Sequence, residues 1–388
     1  MEFKRAYVYT LIIILFITVG FAGGYAVRSI LESSESKWQI LEQAYQILSK
    51  NGLKDLPDNP TLEYGMIRGM LQAYDDPYTM FVEPAQHELE SNTLEGKFGG
   101  IGVRLGRDEQ GSVVLYPLPN TPAEDAGILE NDRLIKVDDL QITPQTDLDT
   151  IQAAIRGRVG HWITITISRP PDNQLMVFRI KRVEIALPSV TSHLDPDEPR
   201  LGVIEVNLIA ETTPDEITRA MTDLTQRGAS AFVLDLRDNS GGLLNSGVEV
   251  SRLFLKSGVI IEQQYKGQQV EQFLVDKPGA LSETPMVILI NNNTASAAEL
   301  IAGAMKANQR AKLVGSPTYG KNTIQLVFNL KDGSSLHVTS ARWWIPGLEP
   351  PIEGNGVQPD IWIEESESNI PDAALLTASR LLFREDAP

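Results

Sequence analysis

The spacing of apolar residues changes several times along this chain, and each change marks a new part. From Ala6 to Val27 the residues are uncharged and mostly apolar, bracketed by Lys4, Arg5 and Arg28. That run is long enough to cross a bilayer core as a helix, and the preceding cations put the N-terminus on the cytoplasmic side. Phe21-Ala-Gly-Gly24 offers the alternative of a cleaved signal segment. From Lys37 to about Ser91 the period becomes helical. Trp38, Leu41, Ala44, Tyr45 and Leu48 form one stripe and Met66, Met70, Leu71 and Tyr74 another, with Leu56-Pro-Asp-Asn-Pro60 as the loop between them. Such a face packs on a neighbouring domain or on a second copy.

Around Lys97 short strands with turn signals take over. Phe98-Gly-Gly-Ile-Gly102 is a glycine-rich turn running into a strand that begins at Ile101, and Ser112–Tyr116 and Asp132–Val137 read as further strands. Pro122 opens a short helix that Gly127 closes, and Asp147–Arg156 is a helix whose apolar face is Leu148, Ile151, Ala154 and Ile155. Trp162–Ser168 alternates strictly, with Leu175–Ile180 as its partner strand. With TPAEDAGI followed by NDRLIKVDD, this order resembles a PDZ domain over residues 95–183. The resemblance implies that Gly99, Gly100, Ile101 and Gly102 hold a peptide's terminal carboxylate, with a groove formed by the following strand and the Asp147–Arg156 helix. The bland alternative is a small β-domain that binds nothing.

After Glu184 strands and helices alternate. Leu201–Val206, Ala231–Leu236, Pro285–Ile290 and Leu313–Val314 are apolar strands. Helices follow at Thr213–Gln226, near Leu244 and after Ser296, so a mostly parallel sheet is expected. Ligands bind beyond the carboxyl ends of such strands. Gly241-Gly242 and Ser296 both fall there. Asp332-Gly333 turns a hairpin whose strands are Thr323–Leu330 and Ser335–Ala341, and Pro371–Phe383 is a last amphipathic helix.

A formal charge of −17 over 388 residues argues against nucleic acid and against adhesion to anionic lipid headgroups. The absence of cysteine removes disulfides, thiolate nucleophiles and Cys-based metal sites together. Ser296 lies where a buried strand turns into a helix, a place where first-turn amides stabilise developing negative charge. Equally, Ser296-Ala-Ala-Glu299 fits a capping box. The four histidines, His87, His161, His193 and His337, stand in no triad context. Lys321, after Tyr319-Gly320, is either an exposed loop cation or a base. Bringing a lysine's pKa near neutrality takes about 4 kcal/mol, which burial in an apolar pocket supplies.

Thr294-Ala-Ser296-Ala-Ala-Glu299-Leu, Gly303-Ala, and Gly315 through Tyr319-Gly-Lys321 to Gln325 resemble the C-terminal processing peptidases, or tail-specific proteases. Asp75-Asp-Pro-Tyr78, LDLRDNSGG and Gly356-Val-Gln-Pro-Asp360 fall in the same order, and Ser296 and Lys321 stand 25 residues apart. The resemblance implies Ser296 as nucleophile, Lys321 as general base and Gln325 as the group that holds the lysine. It also implies an oxyanion hole from the amide of Ala297 with that of Gly241 or Gly242. The implied fold is an α/β protease core of the Clp protease and crotonase kind with an inserted PDZ domain. The parts would be an anchor at 1–30, a helical leader at 31–94, the PDZ domain at 95–183, the core at 184–370 and a tail at 371–388. The chain departs from the family pattern at Thr294, Ala298, Asn322 and Ser240, none of which removes a catalytic side chain. The expectation is an anchored, extracytoplasmic serine endopeptidase needing no metal or cofactor. It would act on proteins with exposed apolar C-termini, pairing with a second copy through the leader helices. The competing expectation is a PDZ adaptor that binds tails without cutting.

Overall fold

The computed structural model describes residues 17–21, 23, 38–108, 110–363 and 372–383. The expected membrane-crossing run of residues 6–27 lies largely outside them. No helix among the described residues is long and apolar enough to cross a membrane. Two compact units divide at Ala73 and Tyr74.

Among the described residues from 38 onward, the first unit contributes helices α1 (Gln39–Asn51) and α2 (Asn59–Tyr74), neither of which buries a residue. Trp38, Leu41, Met66, Ile67 and Met70 line an open cavity of about 300 Å³ on them, so the predicted stripes meet but stay wet.

The second unit starts with a turn. Asp76 accepts hydrogen bonds from the Tyr78 amide at 3.2 Å and the Thr79 hydroxyl at 2.5 Å, the local side-chain-to-backbone pattern that Asp favours. Strand β1 (Met80–Val82) follows, then α3 (Pro84–Glu95), opened by a proline and closed by Gly96 in a left-handed conformation. A strand inside the expected helical leader is a departure. Three residues are too few to carry a period, and pairing with a distant strand is what orders them.

The PDZ-like part has β2 (Lys97–Gly100), β3 (Val103–Arg107), β4 (Val113–Pro117), α4 (Pro122–Asp125), β5 (Asp132–Val137), β6 (Leu140–Gln141), α5 (Leu148–Ile155), β7 (Trp162–Arg169), β8 (Gln174–Lys181) and β9 (Val183–Ala186). Strands pair in the order β3-β4-β5-β7-β8, with β6 on β5, while β2 and β9 pair separately. Alternate residues Ile163, Ile165 and Ile167 of β7 point inward against Ile151 and Ile155 of α5. Asp147 caps α5 by accepting the amides of Asp149 and Thr150.

The core is a six-stranded sheet in the order β10-β11-β12-β15-β16-β19, parallel from β11 onward. Its strands are β10 (Val190–Leu194), β11 (Leu201–Val206), β12 (Ala231–Asp235), β15 (Met286–Ile290), β16 (Lys312–Gly315) and β19 (Ile361–Trp362). Helices α6 (Thr213–Gln226), α7 (Leu244–Phe254) and α8 (Ala297–Ala307) cover one face through Ile204, Leu234, Ile288 and Leu313. Helix α9 (Ala373–Phe383) covers the other, over Val203, Val233, Val287 and Val314. Burial on both faces explains the near-continuous apolar runs of these strands.

A second sheet holds β13 (Val259–Tyr265), β14 (Glu271–Leu274), β17 (Thr323–Asn329) and β18 (Ser335–Trp344) together with β1. Residues 335–337 of β18 pair with both β17 and β1, and residues 341–342 with both β17 and β13. Strands β1 and β13 therefore share one side of β18, and β17 has the other.

Helix α8 ties the layers together: Leu300, Ile301, Ala304 and Met305 are fully buried between the first sheet and Trp343, Ile345 and Val357. Leu300→Ala should cost about 2–5 kcal/mol, seen as a lower urea midpoint with an unchanged slope.

Candidate active site

Strands β12, β15 and β16 are neighbours running in the same direction, so the loops leaving their carboxyl ends emerge side by side. The first loop carries Gly241 and Gly242, the second Ser296 and the third Lys321.

The first two loops are sewn together by small polar side chains. Thr294 donates its hydroxyl to the Leu236 carbonyl at 2.8 Å, and Asn291 accepts the Asp238 amide at 3.0 Å. The Asp238 carboxylate accepts Asn291 and Asn293 at 3.0 and 2.8 Å, which holds its pKa below the usual carboxylate range. Asn239 accepts the Gly241 amide at 2.8 Å through its side chain and the Ala295 amide at 2.9 Å through its carbonyl. Arg237 binds Asp235 and Asp372, fastening the start of this loop to the N-terminal end of α9.

Ser296 stands at φ 54°, ψ −119°, a strained conformation for a residue with a side chain and one that recurs at nucleophile turns between strand and helix. A Cβ on Gly241 would lie 2.8 Å from the Ser296 Cβ and 3.2 Å from the Ala297 nitrogen, so only glycine lets the two loops come this close. The Gly241 amide is already engaged by Asn239. The amides of Gly242 and Ala297, by contrast, donate to no acceptor among the described residues. Of the two glycines left open by the sequence, Gly242 therefore has the available donor.

Glu299 is the residue that sequence reasoning undervalued. Reading it as half of a capping box holds, since it accepts the Ser296 amide at 2.8 Å. The same carboxylate also accepts the amides of Lys321 at 2.9 Å and Gly320 at 2.7 Å, and the Thr318 hydroxyl at 2.5 Å. It is fully buried. Burial pushes its pKa up, while four donors on its two oxygens favour the ionised form. A protonated Glu299 would have to point a hydrogen at a donor, so the geometry favours the carboxylate.

Lys321 is thereby placed next to Ser296 through the backbone, but its amine is elsewhere. Its Nζ makes no hydrogen bond to the Ser296 hydroxyl and lies 4.9 Å from the centre of the Tyr78 ring. Burial lowers its pKa, and the Glu299 charge partly opposes this. Gln325 lies on β17 and donates to the Thr323 hydroxyl at 3.2 Å, not to Lys321. None of the four histidines bonds to Ser296; His337 faces Ser335, and His87 faces Asn329.

In the PDZ-like part the four expected carboxylate-loop residues divide. Gly99 and Gly100 belong to β2 and pair with Glu184 and Val183, so they are strand and not turn. Ile101 and Gly102 form the turn. Their carbonyls accept the amides of Ala123 and Leu118 at 2.9 Å, while their own amides donate to no described acceptor. The strand expected to start at Ile101 begins at Val103, because Gly102 has a φ of +76°.

A serine on a strained strand-to-helix turn beside two unengaged amides, with the Lys321 backbone held by the same Glu299 carboxylate, is an arrangement suited to a serine hydrolase. The family model for Peptidase family S41 matches residues 200–363, and a PDZ domain model matches residues 113–169. The carboxyl-terminal-processing protease of Picosynechococcus sp. is 35% identical over 301 residues, covering 76% of this chain and 72% of the relative. The carboxy-terminal processing protease CtpA of Bacillus subtilis is 30% identical over 345 residues, covering 89% and 72%. Among solved structures, the photosystem II D1 C-terminal processing protease is 29% identical, with 91% of this chain and 92% of that one covered at a TM-score of 0.48. The chain belongs to peptidase family S41 and is a serine peptidase of the carboxyl-terminal-processing kind.

Two outcomes follow from Glu299 and Lys321. Glu299→Gln turns an amide group toward donors and should lower kcat about 100-fold through misplacement, with KM little changed. For Lys321, a lowered folded pKa means the unfolded chain binds more protons between the two values, so stability rises with pH through that window. Lys321→Met should raise the urea midpoint at neutral pH, and the gap should close as pH climbs toward the ordinary lysine value. A gap that stays constant with pH would show that the amine is not desolvated.

Proposed function

We propose that this peptidase acts outside the cytoplasmic membrane, anchored by residues 6–27, and that Ser296 and Lys321 form its catalytic dyad. The observation that carries the dyad is the Glu299 carboxylate, which holds the amides of both residues on one oxygen at 2.8 and 2.9 Å. Neutral Lys321 takes the Ser296 proton as Oγ attacks the scissile carbonyl carbon. The oxygen of that carbonyl becomes an oxyanion held by the amides of Ala297 and Gly242. Lys321 returns the proton to the departing amine as the C–N bond breaks. It then accepts a proton from the water that attacks the acyl-enzyme, and Ser296 is regenerated. Gln325 supports the lysine once the amine has turned toward Ser296.

The PDZ-like domain selects the substrate by its tail. The free amides of Ile101 and Gly102 suit a terminal carboxylate, and β3 with α5 offers the partly exposed Val103, Leu105, Leu148 and Ala154 to apolar side chains. The exposed apolar face of α1 and α2 is the surface through which two copies would pair.

Tagged proteins differing only in their last few residues should be cut in proportion to how apolar those residues are, read by intact mass of the products. Ser296→Ala and Lys321→Ala should each abolish cutting while leaving tail binding unchanged. Cleavage that persists in either variant rules out the dyad. The full-length chain should remain in the membrane pellet after alkaline extraction.

A further inference from the structure

We propose that Tyr78 is a docking ring for the charged Lys321 side chain, which keeps the amine off Ser296 while it carries its proton. The proposal rests on Lys321 being the base. The Nζ has no hydrogen-bond or ion-pair partner among the described residues, and lies 4.9 Å from the Tyr78 ring centre. That is within the range at which an ammonium is attracted to an aromatic face.

The backbone that carries the ring is held in place. Asp76 accepts the Tyr78 amide and the Thr79 hydroxyl. The Thr79 oxygen in turn accepts the Thr339 amide of β18 at 3.1 Å. Thr339 pairs in register with Gln325 of β17, the strand that Lys321 leads into, and Met80–Val82 pair with Ser335–His337 on the same β18. The backbones of Tyr78 and Lys321 are thus fixed to one strand from its two sides, and the lysine side chain is the part left to move. Burial and the neighbouring Tyr319 raise the Tyr78 pKa, so its ring stays neutral across the working range.

A ring face attracts an ammonium and has little hold on a neutral amine. Loss of the proton would therefore free the side chain in the form that can accept a proton from Ser296. Position and protonation state change together. No gate need be added: the ring sets the pH below which the base is withdrawn.

The test is the pH profile of kcat/KM for an apolar-tailed protein, with the rate of Ser296 labelling by a fluorophosphonate measured in parallel, on the full chain. Tyr78→Leu should move the acid limb down by roughly half to one pH unit, so both rates rise about 3- to 10-fold on the acid side. Tyr78→Phe keeps a ring face and should keep the wild-type limb. Tyr78→Trp should move the limb up, and decides the matter if the leucine variant does not fold. A limb that stays in place in Leu or Trp variants, or that moves equally in Phe and Leu, overturns the dock. Lys321→Ala separates this from failure of the dyad: if it still labels and cuts, the base reading itself is lost. If it is inert while the Tyr78 variants match wild type, only the dock is lost.

Discussion

One buried carboxylate organises the catalytic end of this protein. Glu299 sits at the start of α8 with no exposure to solvent and is met by four donors, three of them backbone amides. A charge in that place is costly unless its lone pairs are used, and here the donors come from two loops that the adjacent strands β15 and β16 bring side by side. The carboxylate compels the serine turn and the lysine loop to share one centre. The Ser296 amide and the backbone position of Lys321 both rest on it.

The parallel sheet makes that arrangement reachable. Because β12, β15 and β16 are adjacent and point the same way, short loops suffice to bring a pair of amides, a hydroxyl and an amine to one edge. The polar side chains between the first two loops then set the spacing. Thr294, Asn291 and Asn239 each satisfy backbone groups that would otherwise be buried without partners, and Asp238 fixes the side chains of Asn291 and Asn293. In the resulting frame one donor, the Gly241 amide, is used internally, and the next, on Gly242, meets no acceptor among the described residues.

Against this frame the side chains of Lys321 and Gln325 are the adjustable parts. Their backbones are fixed by Glu299 and by the β17–β18 ladder, yet the amine faces an aromatic ring and the amide faces Thr323. On the proposed reading of Lys321 as base, loss of its charge alone would release it from the ring, with no separate moving domain. Burial lowers the Lys321 pKa while the Tyr78 ring face lies within reach of an ammonium, so the two act on the amine in opposite directions.

Much of this was legible in the linear pattern. Continuous apolar runs ending in Arg237–Gly242, Asn291–Ser296 and Ser316–Lys321 announced a parallel sheet with its loops at one edge, since strands buried on both faces must read that way. The hairpin turn at Asp332-Gly333 and the strict alternation of β7 were equally plain, because local geometry alone sets them. What the chain order hid were contacts between residues far apart along it. Glu299 looked like a cap because only its nearest donor is local; the other three lie 19–22 residues on. Strand β1 was invisible because three residues carry no period and β18 orders them. The choice between Gly241 and Gly242 depended on a hydrogen bond to Asn239, and the partner of Lys321 on a ring more than two hundred residues earlier. Periodicity and turn chemistry are properties of neighbours and can be read in order, whereas donors, acceptors and ring faces find their partners only when the sheets close.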